Sequence, residues 1–380
     1  MDIANTSLTL LTPNSVEGFL AKYPAQANDF AIQLLKSDIS AFVANLQTKP
    51  IVLVTHSLSI LSTVNEKEYE NTHICSPYSI YVIFPKLYAK QLSTQWKLVV
   101  LSYATLFGKA FQWMKINKVI QLNNTLSTIN LHPLELHKFI PSFITTLIKK
   151  YPNHAIMLNR FNQLLDPELF SSLENNNFIF IPTKTVHIFN PTKDYYNKKN
   201  TKYDLTLLKR TNYSIVYHDQ ITENDLERIH ELYKMLFLEK HTEHNPDLTL
   251  LYFKQCHEQH WFEFMAFRNQ SGIIDAFISD ACRDNVMICG PLGYDTKKPR
   301  KLGLFRMIIA LSLQKAHHSK SYYNIGSGNE EFKLNRGSQR EIEYNAIYCK
   351  HLPFYRRLPW LILAWCARRF SLRIFEKQLI

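Results

Sequence analysis

The chain has 380 residues, with 44 Lys and Arg against 32 Asp and Glu, a net charge of +12 with His neutral. Apolar residues make up 46% and aromatic residues 13%, which excludes an intrinsically disordered chain, and only 9 Gly and 16 Pro exclude collagen-like and Gly-rich architectures. The positive charge is uneven: Lys350, Arg356, Arg357, Arg368, Arg369, Arg373 and Lys377 face Glu376 alone at the C-terminal end.

Six cysteines without a C-x-x-C pair read as buried thiols of a reducing compartment. Met1-Asp2-Ile3-Ala4 lacks the basic region of a signal peptide, and the longest apolar run, 358–367, contains Pro359 and falls short of the ~20 residues of a spanning helix. A soluble cytoplasmic protein is expected.

In chain order, 78–84 predicts a strand, 97–114 a helix and 119–122 a strand. The polar stretch from Asn190-Pro191-Thr192-Lys193 to Asn200-Thr201 reads as a linker. It separates a domain at 1–190 from one at 201–355, with a basic amphipathic segment at 356–380. Thr222-Glu223-Asn224-Asp225 resembles a capping box, followed at helical spacing by Leu226, Ile229, Leu232, Tyr233 and Leu236. A second helix is expected at 248–259, then strands at 261–267, 273–279 and 286–294. A helix at 302–317, a short strand at 322–325, a helical turn at 330–335 and a strand at 342–348 complete the order α-α-β-β-β-α-β-α-β. The segments 97–124 and 301–328 share their length and a Lys-Leu start (Lys97-Leu98, Lys301-Leu302), which suggests a duplicated domain.

Two constellations carry candidate chemistry. In Asp295-Thr296-Lys297-Lys298-Pro299-Arg300-Lys301-Leu302-Gly303-Leu304-Phe305, a basic turn runs into a helix start. Unpaired N–H groups there, beside Lys297, Lys298, Arg300 and Lys301, make a cradle for phosphate, and Gly303 lets backbone approach a ligand. The ordinary alternative is a solvated basic turn. In Asn324-Ile325-Gly326-Ser327-Gly328-Asn329, a strand ends at a Gly-x-Gly, and Lys333 and Arg336 follow three residues apart on one helical face.

Together these residues resemble a GCN5-related N-acetyltransferase (GNAT) domain, closest to the FemABX and BioF2-like acyltransferases. The likeness covers roughly 200–355 and rests on the element order, the Arg300-x-x-Gly303 loop, Asn324-x-Gly326-x-Gly328, Phe332-Lys333-x-x-Arg336-Gly337 and Glu343-Tyr344. It implies an α+β fold of two GNAT-like domains, each a mixed, largely antiparallel sheet flanked by helices, the N-terminal one degenerate. It also implies an N-acyltransferase moving an acyl group from a thioester, on acyl-CoA or an acyl carrier protein, to a small-molecule or peptide amine, with no permanently bound cofactor. The family loop ends in Gly or Ala where this chain has Phe305.

By the resemblance, Lys297, Arg300, Lys301, Leu302, Gly303 and Leu304 bind the donor. Lys333 faces the acyl-transfer centre, there to stabilise the developing oxyanion or to neutralise a phosphate or carboxylate of the substrate. Asn324 and Ser327 are candidate neutral donors, and His241, Ser327 and Arg336 candidate substrate contacts. The base is sought at Glu343 or Asp280, with Tyr344 or Tyr348 as acids. Two alternatives stand beside this reading: an aminoacyl-tRNA-dependent transferase of FemABX type, and a noncatalytic membrane- or nucleic-acid-binding protein on the same scaffold. The pairs His241/His244 and His257/His260 have i, i+3 spacing rather than the i, i+4 of His-Glu-x-x-His, and no metal is expected. Aromatics and arginines at 354–379 would suit a peripheral membrane contact, an acidic carrier or RNA, or a terminal helix packed on its own domain.

Overall fold

A computed structural model describes residues 8–91 and 93–371. The first repeat contains β1 (Thr9–Leu11), α1 (Val16–Lys22), α2 (Phe30–Lys36), β2 (Lys49–Val54) and β3 (Ser59–Asn65). It continues through α3 (Phe84–Tyr88), α4 (Thr94–Trp113), β4 (Val119–Leu122), α5 (Leu136–Lys150), β5 (Ala155–Phe161), α6 (Pro167–Asn175) and β6 (Ile179–Phe189). After α7 (Lys199–Arg210), the second repeat runs β7 (Ser214–Tyr217), α8 (Glu223–Lys234), α9 (Leu250–Glu258), β8 (Glu263–Arg268), β9 (Ile274–Arg283) and β10 (Val286–Tyr294). It ends in α10 (Leu304–His318), β11 (Tyr322–Asn324), α11 (Glu330–Leu334) and β12 (Gln339–Tyr348), and α12 (Phe354–Cys366) follows.

The chain divides into two compact units. Of the described residues, one comprises those from 8 to 126, His132–Thr183 and 344–371; the other comprises Ser127–Leu131 and Lys184–Glu343. The division therefore falls inside β6 and β12, not at the polar stretch 190–201.

In the first unit the strand order is β1-β2-β3-β4-β5-β12, antiparallel except that β4 and β5 run parallel from Val119↔Ala155 to Leu122↔Leu158. In the second it is β7-β8-β9-β10-β11-β6, antiparallel except that β10 and β11 run parallel from Val286↔Tyr322 to Ile288↔Asn324. Each unit has the same logic: a strand, two helices, a three-strand meander, a crossover helix, a parallel strand. The sixth strand of each comes from the other repeat, so β6 closes the second unit and β12 the first. The α+β class and the two similarly built domains are those the sequence led us to expect.

Local sequence explains the core elements. In α5, Leu136, Phe139, Ile140, Phe143, Ile144 and Leu147 recur at three- and four-residue steps and are all buried, so one face covers the first sheet. Thr222 and Asp225 cap α8 reciprocally: Thr222 Oγ1 accepts the Asp225 N–H (3.3 Å), and Asp225 Oδ2 accepts the Thr222 N–H (2.9 Å).

Three expectations are corrected. The segment 78–84 is not a strand but a π-helical turn, Ser79–Ile83, leading into α3. Its entry is helical because Asn117 Oδ1 accepts the Tyr78 N–H (2.9 Å) and Ser76 Oγ accepts the Ser79 N–H (3.0 Å), side-chain bonds that its β-branched composition does not reveal. The match of 97–124 with 301–328 pairs the wrong helices, since α4 joins antiparallel β3 and β4 while α10 joins the parallel pair β10 and β11. The true counterpart of α10 is α5. The proposed linker ends in α7, whose Thr201, Asp204 and Leu208 are buried at helical spacing.

Asp204 is the anchor of α7. At 1% exposure it receives Arg306 Nε of α10 and Arg336 Nε beyond α11, each at 2.6 Å. Removing the carboxylate leaves Arg336 buried without a counter-charge. Asp204→Ala is expected to destabilise the chain by ~3–5 kcal/mol, seen as a lower urea midpoint. A loss below about 1 kcal/mol would show that the ion pairs are not needed to hold α7.

Candidate active site

The site is built in the second unit where β10 and β11 part. Their parallel pairing stops at Ile288↔Asn324, yet β10 continues to Tyr294, and its register against β9 shifts between Cys289 and Leu292. A bulge bends the longer strand away, opening one side of β10 beyond Ile288. Beneath the opening Asp280 is wholly buried. It accepts the Ser312 hydroxyl and the Tyr323 hydroxyl, both at 2.9 Å, and burial raises its pKa to about 6.

From the far end of β10 the chain turns through the basic loop into α10. Asp295 organises this loop: Oδ1 accepts the Lys297 N–H (2.9 Å), and Oδ2 receives Arg228 Nη2 (2.9 Å). Lys298 reaches Asp275 at 3.3 Å, while Lys297, Arg300 and Lys301 are exposed. Leu302 is half-buried, Leu304 is buried, and Gly303, at φ +69°, is the left-handed residue at the start of α10. A side chain there would collide with Leu207 of α7, whose Cδ2 lies 2.6 Å from the Cβ position. The cradle of helix N–H groups is present, with α7 packed against its glycine.

The end of β11 forms the second wall. Asn324 is buried, and its Oδ1 accepts the Gly326 N–H at 2.9 Å, which turns the chain. Lys333, 5% exposed, points back from α11 and donates to the carbonyls of Ile325 (3.0 Å), Gly326 (3.0 Å) and Ser327 (2.8 Å). Among the described residues no peptide is cis, and the C=O and N–H of a trans peptide point in opposite directions, so turning the Gly326 and Ser327 carbonyls toward Nζ turns the N–H groups of Ser327 and Gly328 away from it. Ser327 itself is exposed.

Burial pushes the Lys333 ammonium down to about 7, assisted by the charge of Lys184. Protonated, it satisfies three carbonyls; neutral, it has two hydrogens for them. His187 of β6 lies alongside, with Nδ1 3.1 Å from Ser338 Oγ, and burial followed by the charge of Lys333 lowers its pKa to about 4. Glu343 is buried, with Lys184 Nζ at 3.3 Å.

A row of rings ties the two walls together. Tyr294 at the end of β10 packs on Phe305 of α10 (6.1 Å), and Phe305 packs on Phe332 of α11 (5.0 Å). Arg336 lies 3.4 Å over the Phe332 ring and is held by Asp204. Lys240 donates to the Tyr294 hydroxyl at 2.7 Å, which brings the exposed, adjacent His241 to the same end of the unit.

The structure thus gathers the basic loop, Gly303, Asn324, Ser327, Lys333, Arg336 and Glu343 in one unit. Tyr344 is not among them: it belongs to the first unit, packed against Phe161 (6.3 Å) and Phe170 (5.6 Å), as does Tyr348, packed on Phe178. Sequence reading missed Asp204, His187 and Lys184. The buried spacing of α7 could have revealed the first. The other two lie on a strand contributed by the other repeat, and no local pattern announces them.

Among the described residues one group, His218, Asp219 and His260, brings potential metal ligands within 4.8 Å. His218 has no lone pair to offer there: Nδ1 accepts the Phe264 N–H (3.1 Å), which leaves the proton on Nε2, facing the His257 carbonyl (3.1 Å).

No protein-family model matches the chain, and no curated protein matches it. Solved structures do. The crystal structure of FemX aligns over 92% of this chain and 99% of its own, at 9% identity and a TM-score of 0.50. L-PGS from Bacillus licheniformis aligns over 66% and 82% at 13% identity and a TM-score of 0.46. A tandem GNAT protein from the clavulanic acid biosynthesis pathway aligns over 90% and 98% at 10% identity and a TM-score of 0.38. The likeness to FemX shows the fold: this chain has the architecture of FemX.

Between pH 7 and the 10.5 of an unperturbed lysine, the unfolded chain holds a proton on residue 333 that the folded chain has released. Stability from this group therefore rises with pH across that window, by at most about 1.4 kcal/mol per unit. Urea unfolding of the wild type and Lys333→Met should show a stability difference that moves in favour of the wild type from pH 7 to 10. A flat difference would show that Lys333 keeps its proton.

Proposed function

We propose that this chain is an acyltransferase that moves an acyl group from an activated donor to an amine. The observation that carries this reading is the opening of the parallel pair β10/β11, with the cation-flanked start of α10 on one side and the Lys333-held loop on the other. Such an arrangement suits a donor with an anionic body and an electrophilic carbonyl. The amine must arrive neutral; its lone pair attacks the carbonyl carbon and the new C–N bond forms. The carbon–sulfur or carbon–oxygen bond of the donor breaks with its electron pair on the sulfur or oxygen, and the proton lost from nitrogen leaves the departing group as a thiol or hydroxyl. Negative charge gathers on the carbonyl oxygen meanwhile, and the outward N–H groups of Ser327 and Gly328 are placed to receive it.

In this reading Lys333 is a positioning residue, since its hydrogens are directed to the loop carbonyls. Lys297, Arg300 and Lys301 meet the anionic part of the donor, and His241 and Ser327 lie on the acceptor side. The leading donor is a thioester of coenzyme A or of an acyl carrier protein.

A second reading, an aminoacyl ester carried on tRNA, is favoured by two side chains. Leu207 packs into the space left by Gly303, and Phe305 stands where GNAT loops keep a small residue, so the room for a diphosphate is reduced. The net charge of +12 suits either polyanion.

Thermal unfolding with acetyl-CoA, longer acyl-CoA or aminoacyl-tRNA separates the readings. A thioester at about a hundred times its Kd should stabilise the fold by ~2.7 kcal/mol, and Arg300→Glu with Lys301→Glu should abolish the shift. Stabilisation by aminoacyl-tRNA alone, lost as salt is raised, would select the second reading. Binding of neither, with no acyl transfer to an amine panel, would overturn the transferase reading.

A further inference from the structure

Two helices of the first unit turn large apolar side chains outward, where a surface helix ordinarily shows only polar ones. In α12, Arg356, Pro359, Trp360, Leu363 and Ala364 form the buried face. The opposite face carries Phe354, Leu361 and Trp365 at steps of seven and four, with Phe354 66% and Trp365 63% exposed. In α4, Leu98, Leu106 and Trp113 stand eight and seven residues apart, hence on one face, and Leu106 and Trp113 are each 71% exposed. The helices adjoin, with the Trp113 and Tyr355 rings 5.7 Å apart. Exposed apolar surface of this extent marks a contact site.

The charge around it names the partner. No Asp or Glu occurs between Glu70 and Glu135, the stretch holding α4, nor between Glu343 and Glu376, the stretch holding α12. Lys97, Lys109, Arg368 and Arg369 are exposed on these two helical segments. A second copy of the chain would set cations against cations, and the leucines have no role against a nucleic-acid backbone. Aromatic and aliphatic side chains fringed by Lys and Arg match the boundary between acyl chains and anionic headgroups. We infer that the α4–α12 face docks on the surface of a membrane rich in anionic lipid. Among the described residues no helix is long and apolar enough to cross a membrane, so the contact is with one leaflet. The inference is independent of the acyl-transfer reading.

Flotation of the full chain with vesicles tests it. Vesicles of phosphatidylcholine with about a third phosphatidylglycerol should retain the protein, and pure phosphatidylcholine should retain at least about tenfold less. The triple variant Leu106→Ser, Trp113→Ser, Phe354→Ser should bind the anionic vesicles at least about tenfold more weakly with an unchanged melting profile, as should Lys109→Glu with Arg368→Glu. Wild-type-like binding by both variants would overturn the inference, as would no binding to anionic vesicles. A dimer in sedimentation that the triple variant makes monomeric would also overturn it, assigning the face to a second copy.

Discussion

A carboxylate buried at 1% exposure stays charged only if cations come to it, and that requirement on Asp204 arranges the working end of the second unit. Arg306 must leave the first turns of α10 and Arg336 must leave the end of α11 to meet it. Once they do, α7 lies against Gly303, which has room only because it lacks a side chain, and Gly337 at φ +90° brings the backbone to Tyr195. The basic loop and the Gly-x-Gly loop are thereby referred to one common post. Arg336, whose guanidinium also covers Phe332, extends that order into the ring row across to Tyr294.

Against this rigid frame stands one labile proton. Lys333 is held by three carbonyls, a geometry that favours an ammonium, while burial and the charge of Lys184 press its pKa down to about 7. The loop whose outward N–H groups would receive an oxyanion is thus shaped by a charge that neutral solution can remove. His187, kept uncharged beside it, adds no competing cation.

Much of the second repeat was legible from sequence because its signals are local. The Thr222–Asp225 capping box, the strand runs through Tyr294 and the glycine before α10 each express themselves within a few residues. The motif residues of the loop and of α11 were likewise readable. What escaped was long-range. The resemblance has Lys333 facing the acyl-transfer centre, but nothing in the sequence shows that three carbonyls six to eight residues upstream converge on its Nζ. Asp204 lies three residues past the polar run 190–201 that reads as linker, and its helical burial period with Thr201 and Leu208 goes unread there. The neighbours Glu343 and Tyr344 alternate along one strand across the division between units, so one faces Lys184 and the other an aromatic cluster. Adjacency in sequence, there, is no guide to adjacency in function.

The exchange of final strands has a consequence for how the chain is born. The first unit closes when β12 pairs with β5, from Tyr344↔Phe161 to Tyr348↔Ile156. At ~5–20 residues per second, a ribosome needs roughly ten to forty seconds after releasing β5 to make that partner. For this interval the nascent first repeat carries an open edge on Ala155–Phe161, a strand buried along its whole length in the finished protein. The early half of the polypeptide must therefore be shielded, by α5 and α6 folding over it or by a chaperone, until translation of the later half is nearly complete.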